Sequence, residues 1–118
     1  MLMSFRGRYV EVILGSTEMI TDKEKKNLKQ FYKAVLSLND AEECRKFFDD
    51  VATIKEVLDM SARLEVARML NEGTVFSEIS KETGASSATI SRVNKCLTYG
   101  EGGYKTVLER MKRKRRKQ

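Results

Sequence analysis

Histidine, proline and tryptophan are absent from this 118-residue chain, and cysteine occurs only twice. The lack of histidine removes every His-dependent acid–base scheme and most metal-ligand patterns. Cys44 and Cys96 lie far apart in sequence and form no C-x-x-C pair, so neither a thiolate metal site nor a disulfide framework is expected. Both are read as free thiols in a reducing cytoplasm, buried as small apolar side chains. The absence of proline, with only seven glycines, leaves little to interrupt helices. No apolar run approaches the roughly 18 residues of a membrane span, so no membrane association is expected. There is no nucleophile-plus-base spacing and no phosphate-cradling glycine loop, so an enzyme is not expected.

What is present is ordinary for a globular protein: 41% hydrophobic and 34% charged residues. The net charge of +6 is local, because Lys112–Lys117 (KRKRRK) carries six positive charges and the remainder of the chain is balanced. Such a run is expected to be mobile and to attract polyanions without sequence preference. A solvated terminus with no specific role is the other reading.

Three segments emerge: 1–19, 20–111 and a basic tail at 112–118. In the first, Arg8 to Leu14 alternates like a short strand and is followed by the turn-like Gly15-Ser16. Glu11 and the lack of a small-residue cleavage site argue against a signal peptide, and a non-native or flexible leader is expected. From Thr21 the pattern is helical. Leu28, Phe31, Tyr32, Val35 and Leu36 recur at helical spacing behind a Thr21-x-x-Glu24 capping box. Asp40 caps a second helix carrying Phe47, Phe48 and Val51. Thr53-x-x-Glu56 opens a third, reaching Asn71 before Gly73, with Ile54, Val57, Leu58, Leu64, Ala67 and Leu70 inward. A fourth helix covers Val75 to Glu82 and a fifth Ser86 to Leu97. Behind Gly102-Gly103, a sixth places Tyr104, Val107, Leu108 and Met111 on one face. The expectation is an all-α fold of six helices. The nearly continuous apolar surface of the first helix is expected either to pair with a second copy or to lie under the last helix.

Phe76 to Lys95 (FSEISKETGASSATISRVNK) is the informative stretch. Two short helices joined by a tight turn need apolar residues at a few inward positions and a turn residue tolerant of positive φ. Ile79 fits the first helix, Gly84 and the small Ala85 fit the turn, and Ile90, Val93 and Leu97 fit the second. Advancing about 100° per residue sets Ala88, Ser91, Arg92 and Lys95 opposite that stripe. Small residues there allow close approach to a major-groove floor. Arg92 can fork onto guanine or a phosphate, and Lys95 suits a phosphate. Ser86 is the expected N-cap, and the first turn of N–H groups can take a phosphate. The candidate DNA-binding residues are therefore Ser86, Ser87, Ala88, Thr89, Ser91, Arg92 and Lys95. Two core helices with Arg92 and Lys95 merely solvated would carry the same residue types.

Arg63-Leu64-Glu65-Val66-Ala67-Arg68-Met69-Leu70, Gly73, Glu78-Ile79 and Gly84 to Arg92 (GASSATISR) resemble the Trp repressor superfamily. The flanking FFDDVATIKEVLDMSARLEVARML and NKCLTYGEGGYK are similar to its YerC/YecD branch. The resemblance spans about Asp22 to Leu108 and implies an intertwined homodimer, bacterial and cytoplasmic, that binds double-stranded DNA as a transcriptional regulator, in first expectation a repressor. It places an effector at Arg63, Thr89 and Arg92. Val93 stands where the repressor has glycine, and Cys96 where it has serine. A branched side chain crowds a flat indole and a thiol is a poor partner for a buried amino group, so L-tryptophan is disfavoured and no cofactor is expected. Arg63 has a structural alternative, an ion pair with Glu65 or another carboxylate. Two further functions remain open beside sequence-specific regulation: a nonspecific nucleic-acid-binding module relying on Lys112–Lys117, and a protein-interaction dimer.

Overall fold

The computed structural model describes residues 20–117. Among them are six α-helices and no strand: α1 (Asp22–Leu36), α2 (Ala41–Val51), α3 (Ile54–Asn71), α4 (Phe76–Thr83), α5 (Ser87–Tyr99) and α6 (Gly103–Lys117). The possible leader and the strand at Arg8 to Leu14 lie outside the described residues. The helices divide into two compact units, with the chain boundary between Thr53 and Ile54.

In the first unit both helices begin as their capping residues dictate. The Glu24 N–H donates to Thr21 Oγ1 at 3.1 Å, and the Thr21 N–H donates to Glu24 Oε1 at 2.8 Å, a reciprocal capping box. Asp40 Oδ1 accepts from the Glu43 N–H at 2.9 Å and starts α2. Phe31 of α1 meets Phe47 of α2 with ring centroids 6.0 Å apart, and Tyr32 and Phe48 extend the aromatic group. No side chain of α1 or α2 is buried within the chain. Cys44 is accordingly exposed, contrary to the burial expected of it.

In the second unit the C-terminal half of α3 supplies Val66, Ala67 and Met69 to a core completed by Ile79 of α4, Ile90 and Val93 of α5, and Leu108 of α6. Leu64, Leu70, Ala85 and Tyr104 pack around its edge. Periodicity placed Ile54 and Leu58 inward, yet they are 66% and 59% exposed. The core forms only where α4, α5 and α6 reach α3, beside its second half. There Val66 and Met69 take the buried positions. On α6, Val107 and Met111 stay largely exposed while Leu108 alone is buried. Cys96 is exposed because it lies about 120° around α5 from the Ile90 direction. The basic run at Lys112–Lys117, expected to be mobile, continues the backbone of α6 as helix.

Candidate nucleic-acid interface

The joint between α4 and α5 is built from backbone geometry and three hydroxyls. Gly84 ends α4 in the left-handed region at φ 76°, its N–H donating to the Ser80 carbonyl at 2.8 Å. The Thr83 hydroxyl donates to the Ile79 carbonyl at 2.7 Å and accepts from the Ala85 N–H at 3.1 Å. The Ser80 hydroxyl donates to the Ala85 carbonyl at 3.1 Å. Ser86 then caps α5, its Oγ accepting from the Thr89 N–H at 3.1 Å. Sequence pattern singled out Gly84, Ala85 and Ser86. It missed Ser80 and Thr83, whose hydroxyls join the turn only once it brings the Ala85 carbonyl and N–H within their reach.

Beyond this joint α5 is divided lengthwise. Ile90, Val93 and Leu97 are buried, whereas Ser87, Ala88, Ser91, Arg92 and Lys95 are exposed. Ser86 is exposed although its hydroxyl is occupied by the cap, and Thr89 is half-buried, its hydroxyl 3.1 Å from that of Ser86. The exposed face therefore carries two small residues and a hydroxyl near its start and two cations further along. No group of acidic or thiol side chains among the described residues could hold a metal ion.

A cleft of about 390 Å³ lies between α3 and the joint, bordered by Asp59, Ala62, Arg63, Val66, Thr83 to Ser86, and Thr89. Of the three residues the resemblance assigned to an effector, the structure brings Arg63 and Thr89 to this cleft and leaves Arg92 outside its lining. Val93 points into the core and Cys96 is exposed, and neither borders the cleft. The suggested ion pair between Arg63 and Glu65 is not formed. Residues two apart point to different sides of a helix, whereas three or four apart they meet. Glu65 instead accepts from Arg68 at 2.7 Å, and Arg68 also holds Glu72 at 2.9 Å. The Arg68 guanidinium keeps the Glu65 carboxyl below the usual carboxylate range, and the pair raises Arg68 in return.

These features agree with the comparisons to known proteins. The family model described as Trp repressor protein matches residues 26–112. The chain belongs to the Trp repressor family. This family is regulatory rather than catalytic, and membership points to DNA-binding regulation. This family member is 54% identical over 87 residues to the uncharacterized protein YerC of Bacillus subtilis (strain 168), a match covering 74% of this chain and 84% of that one. The crystal structure of a TrpR-like protein from Eubacterium eligens ATCC 27750 aligns at 50% identity with a TM-score of 0.71, over 73% of this chain and 89% of that chain. A chain from Staphylococcus aureus, proposed to be a Trp repressor, aligns at 41% identity with a TM-score of 0.72, over 78% and 95%. The all-α, Trp-repressor-like fold follows from both likenesses and from the six helices.

Proposed function

We propose that this protein is a sequence-specific regulator of transcription that binds double-stranded DNA as a homodimer in the cytoplasm of a bacterium. On this reading α4, the joint and α5 form a helix-turn-helix, with α5 entering the major groove. One observation carries the proposal: α5 is anchored through Ile90, Val93 and Leu97 and presents Ser87, Ala88, Ser91, Arg92 and Lys95 to solvent. Small side chains near the start of α5 let the backbone approach base edges. Arg92 supplies a fork for guanine or for a phosphate, and Lys95 supplies a phosphate contact. The first-turn N–H groups at Ser87 and Ala88 precede the capped Thr89 N–H and suit an anionic oxygen. Repression is the expected sense of the regulation, because a dimer seated across a promoter blocks it.

The reading includes no effector. Arg92 lies off the cleft that Arg63 and Thr89 border, so the cationic face of α5 is available without a ligand bound there. A duplex selected from a random pool by the unmodified protein, with no L-tryptophan present, provides the test. Arg92→Ala is expected to weaken binding to the selected duplex by about 1–3 kcal/mol and to change binding to random duplex much less. Equal loss on both would reduce Arg92 to a phosphate contact, and failure to enrich any sequence would overturn the proposal.

A further inference from the structure

α6 changes character along its length. Up to Met111 it is a packed helix: Leu108 is 5% exposed and Tyr104 lies against the core. One heptad beyond Leu108, the inward direction is taken by Arg115, which is exposed. Lys112, Arg113 and Lys114 point around the rest of the circumference and are exposed as well. No apolar residue follows Met111. Among the described residues, one carboxylate answers these cations, that of Glu109, 3.6 Å from Arg113 Nε. The last turns of α6 thus continue past the core, with cations on every side.

Such an end is unfavourable in isolation. Like charges three or four residues apart on a helix oppose it, and Lys112 with Arg115 and Arg110 with Lys114 are such pairs. The negative end of the helix dipole offsets only part of this repulsion. A polyanion removes it. The six cations of Lys112–Lys117 fall within roughly 8 Å of helix at a rise of about 1.5 Å per residue. Duplex DNA carries one phosphate charge per about 1.7 Å of axis, a comparable density. α6 packs against α5 within one compact unit, so this helix end and the Arg92 and Lys95 face belong to the same body.

We infer that the end of α6 from Lys112 to Lys117 is a second duplex contact, a sequence-blind phosphate-binding element that strengthens binding to any DNA. It leaves discrimination between sequences to α5. The inference rests on the proposed function for its partner, but it uses different residues and can fail alone.

The experiment compares the full chain with one ending at Met111, on the selected duplex and on random duplex, between about 50 and 200 mM salt. The truncated chain is expected to lose affinity by a similar factor on both, about 10-fold or more at low salt. Its plot of log affinity against log salt is expected to be shallower by roughly two to five, at about 0.9 per phosphate contact. The ratio between the two duplexes stays unchanged. A quadruple variant of the full chain, with Lys112, Arg113, Lys114 and Arg115 all changed to Gln, repeats the measurement without shortening the helix. Unaltered affinity and slope in both variants would overturn the inference while leaving the role of α5 intact. So would a loss seen with an RNA hairpin or with phosphatidylserine vesicles but not with duplex. Absence of duplex binding by the full chain would sink both readings together.

Discussion

At Gly84 the backbone turns with φ 76°, and a Cβ built there would meet no atom within 4 Å. Its requirement is conformational, not one of space. Gly100, after α5, is the opposite case: its backbone is ordinary, but a Cβ would collide with the Cys96 carbonyl oxygen. Gly84→Ala therefore leaves every packing contact intact and still puts an L-residue in the left-handed region. The expected cost is about 1–2 kcal/mol of folding stability, read as a lower midpoint in urea with an unchanged slope. A neutral or stabilising result would mean that the joint relaxes out of the left-handed turn. This residue was legible in sequence because few residues besides glycine end a short helix in that way. The hydroxyls of Ser80 and Thr83 were not, since serine and threonine on a short helix read as solvent-facing until the turn supplies the Ala85 backbone as their partner. Arg63 shows a different limit. A cation next to acidic neighbours suggests an ion pair, but the two-residue spacing turns Arg63 away from Glu65, which meets Arg68 three residues on.

α4 carries two carboxyls one turn apart, Glu78 and Glu82. The Glu78 carboxylate, one turn back, accepts the proton of the Glu82 carboxyl and repels its charged form, which pushes Glu82 above the usual carboxylate range. Glu65 adds to that push, and Arg68 opposes it weakly. A carboxyl whose folded pKa is raised stabilises the fold below its unfolded pKa, and that contribution is lost as pH rises through the folded value. Glu65 and Glu42 behave in reverse, because Arg68 and Arg45 lower them. Their stabilisation is present above the unfolded pKa and is lost as pH falls through the folded one. Glu82→Gln is therefore expected to raise the melting temperature at pH 7, with the gain shrinking as pH falls through the raised Glu82 value. An equal gain above and below that value would point to helix propensity instead of charge. Which helices were legible follows from how many sides of each are buried. α5 buries one stripe, and residues at three- and four-step spacing identify it without knowledge of its neighbours. α3 has apolar residues on several sides, and the position of α4, α5 and α6 beside its second half selects Val66 and Met69 over Ile54 and Leu58.

The chain as a whole spends its apolar surface unevenly. Residues 54–117 bury a core of seven side chains, whereas α1 and α2 bury none. Phe31, Tyr32, Phe47 and Phe48 touch one another, but Tyr32 is 44% and Leu36 83% exposed. Two amphipathic helices of 15 and 11 residues gain little stability from their own propensity, because short helices in water are marginal without a packed face. Well-formed caps at Thr21 and Asp40 contribute only about 1 kcal/mol each. The apolar faces thus call for cover. A second copy of the chain can provide it, in keeping with the homodimer proposed for the regulator. Tyr32 and Leu36 sit one turn apart on α1 with Leu36 almost fully exposed, so changing Leu36 should cost the monomer little. The double variant Tyr32→Ser, Leu36→Glu is expected to weaken self-association at least about 10-fold, since burying an unpaired carboxylate costs well over 1.4 kcal/mol. Sedimentation equilibrium at micromolar protein reads the change directly. A dimer as tight as that of the unmodified chain would move the interface away from this face, and an unmodified chain that sediments as a monomer would remove the dimer altogether.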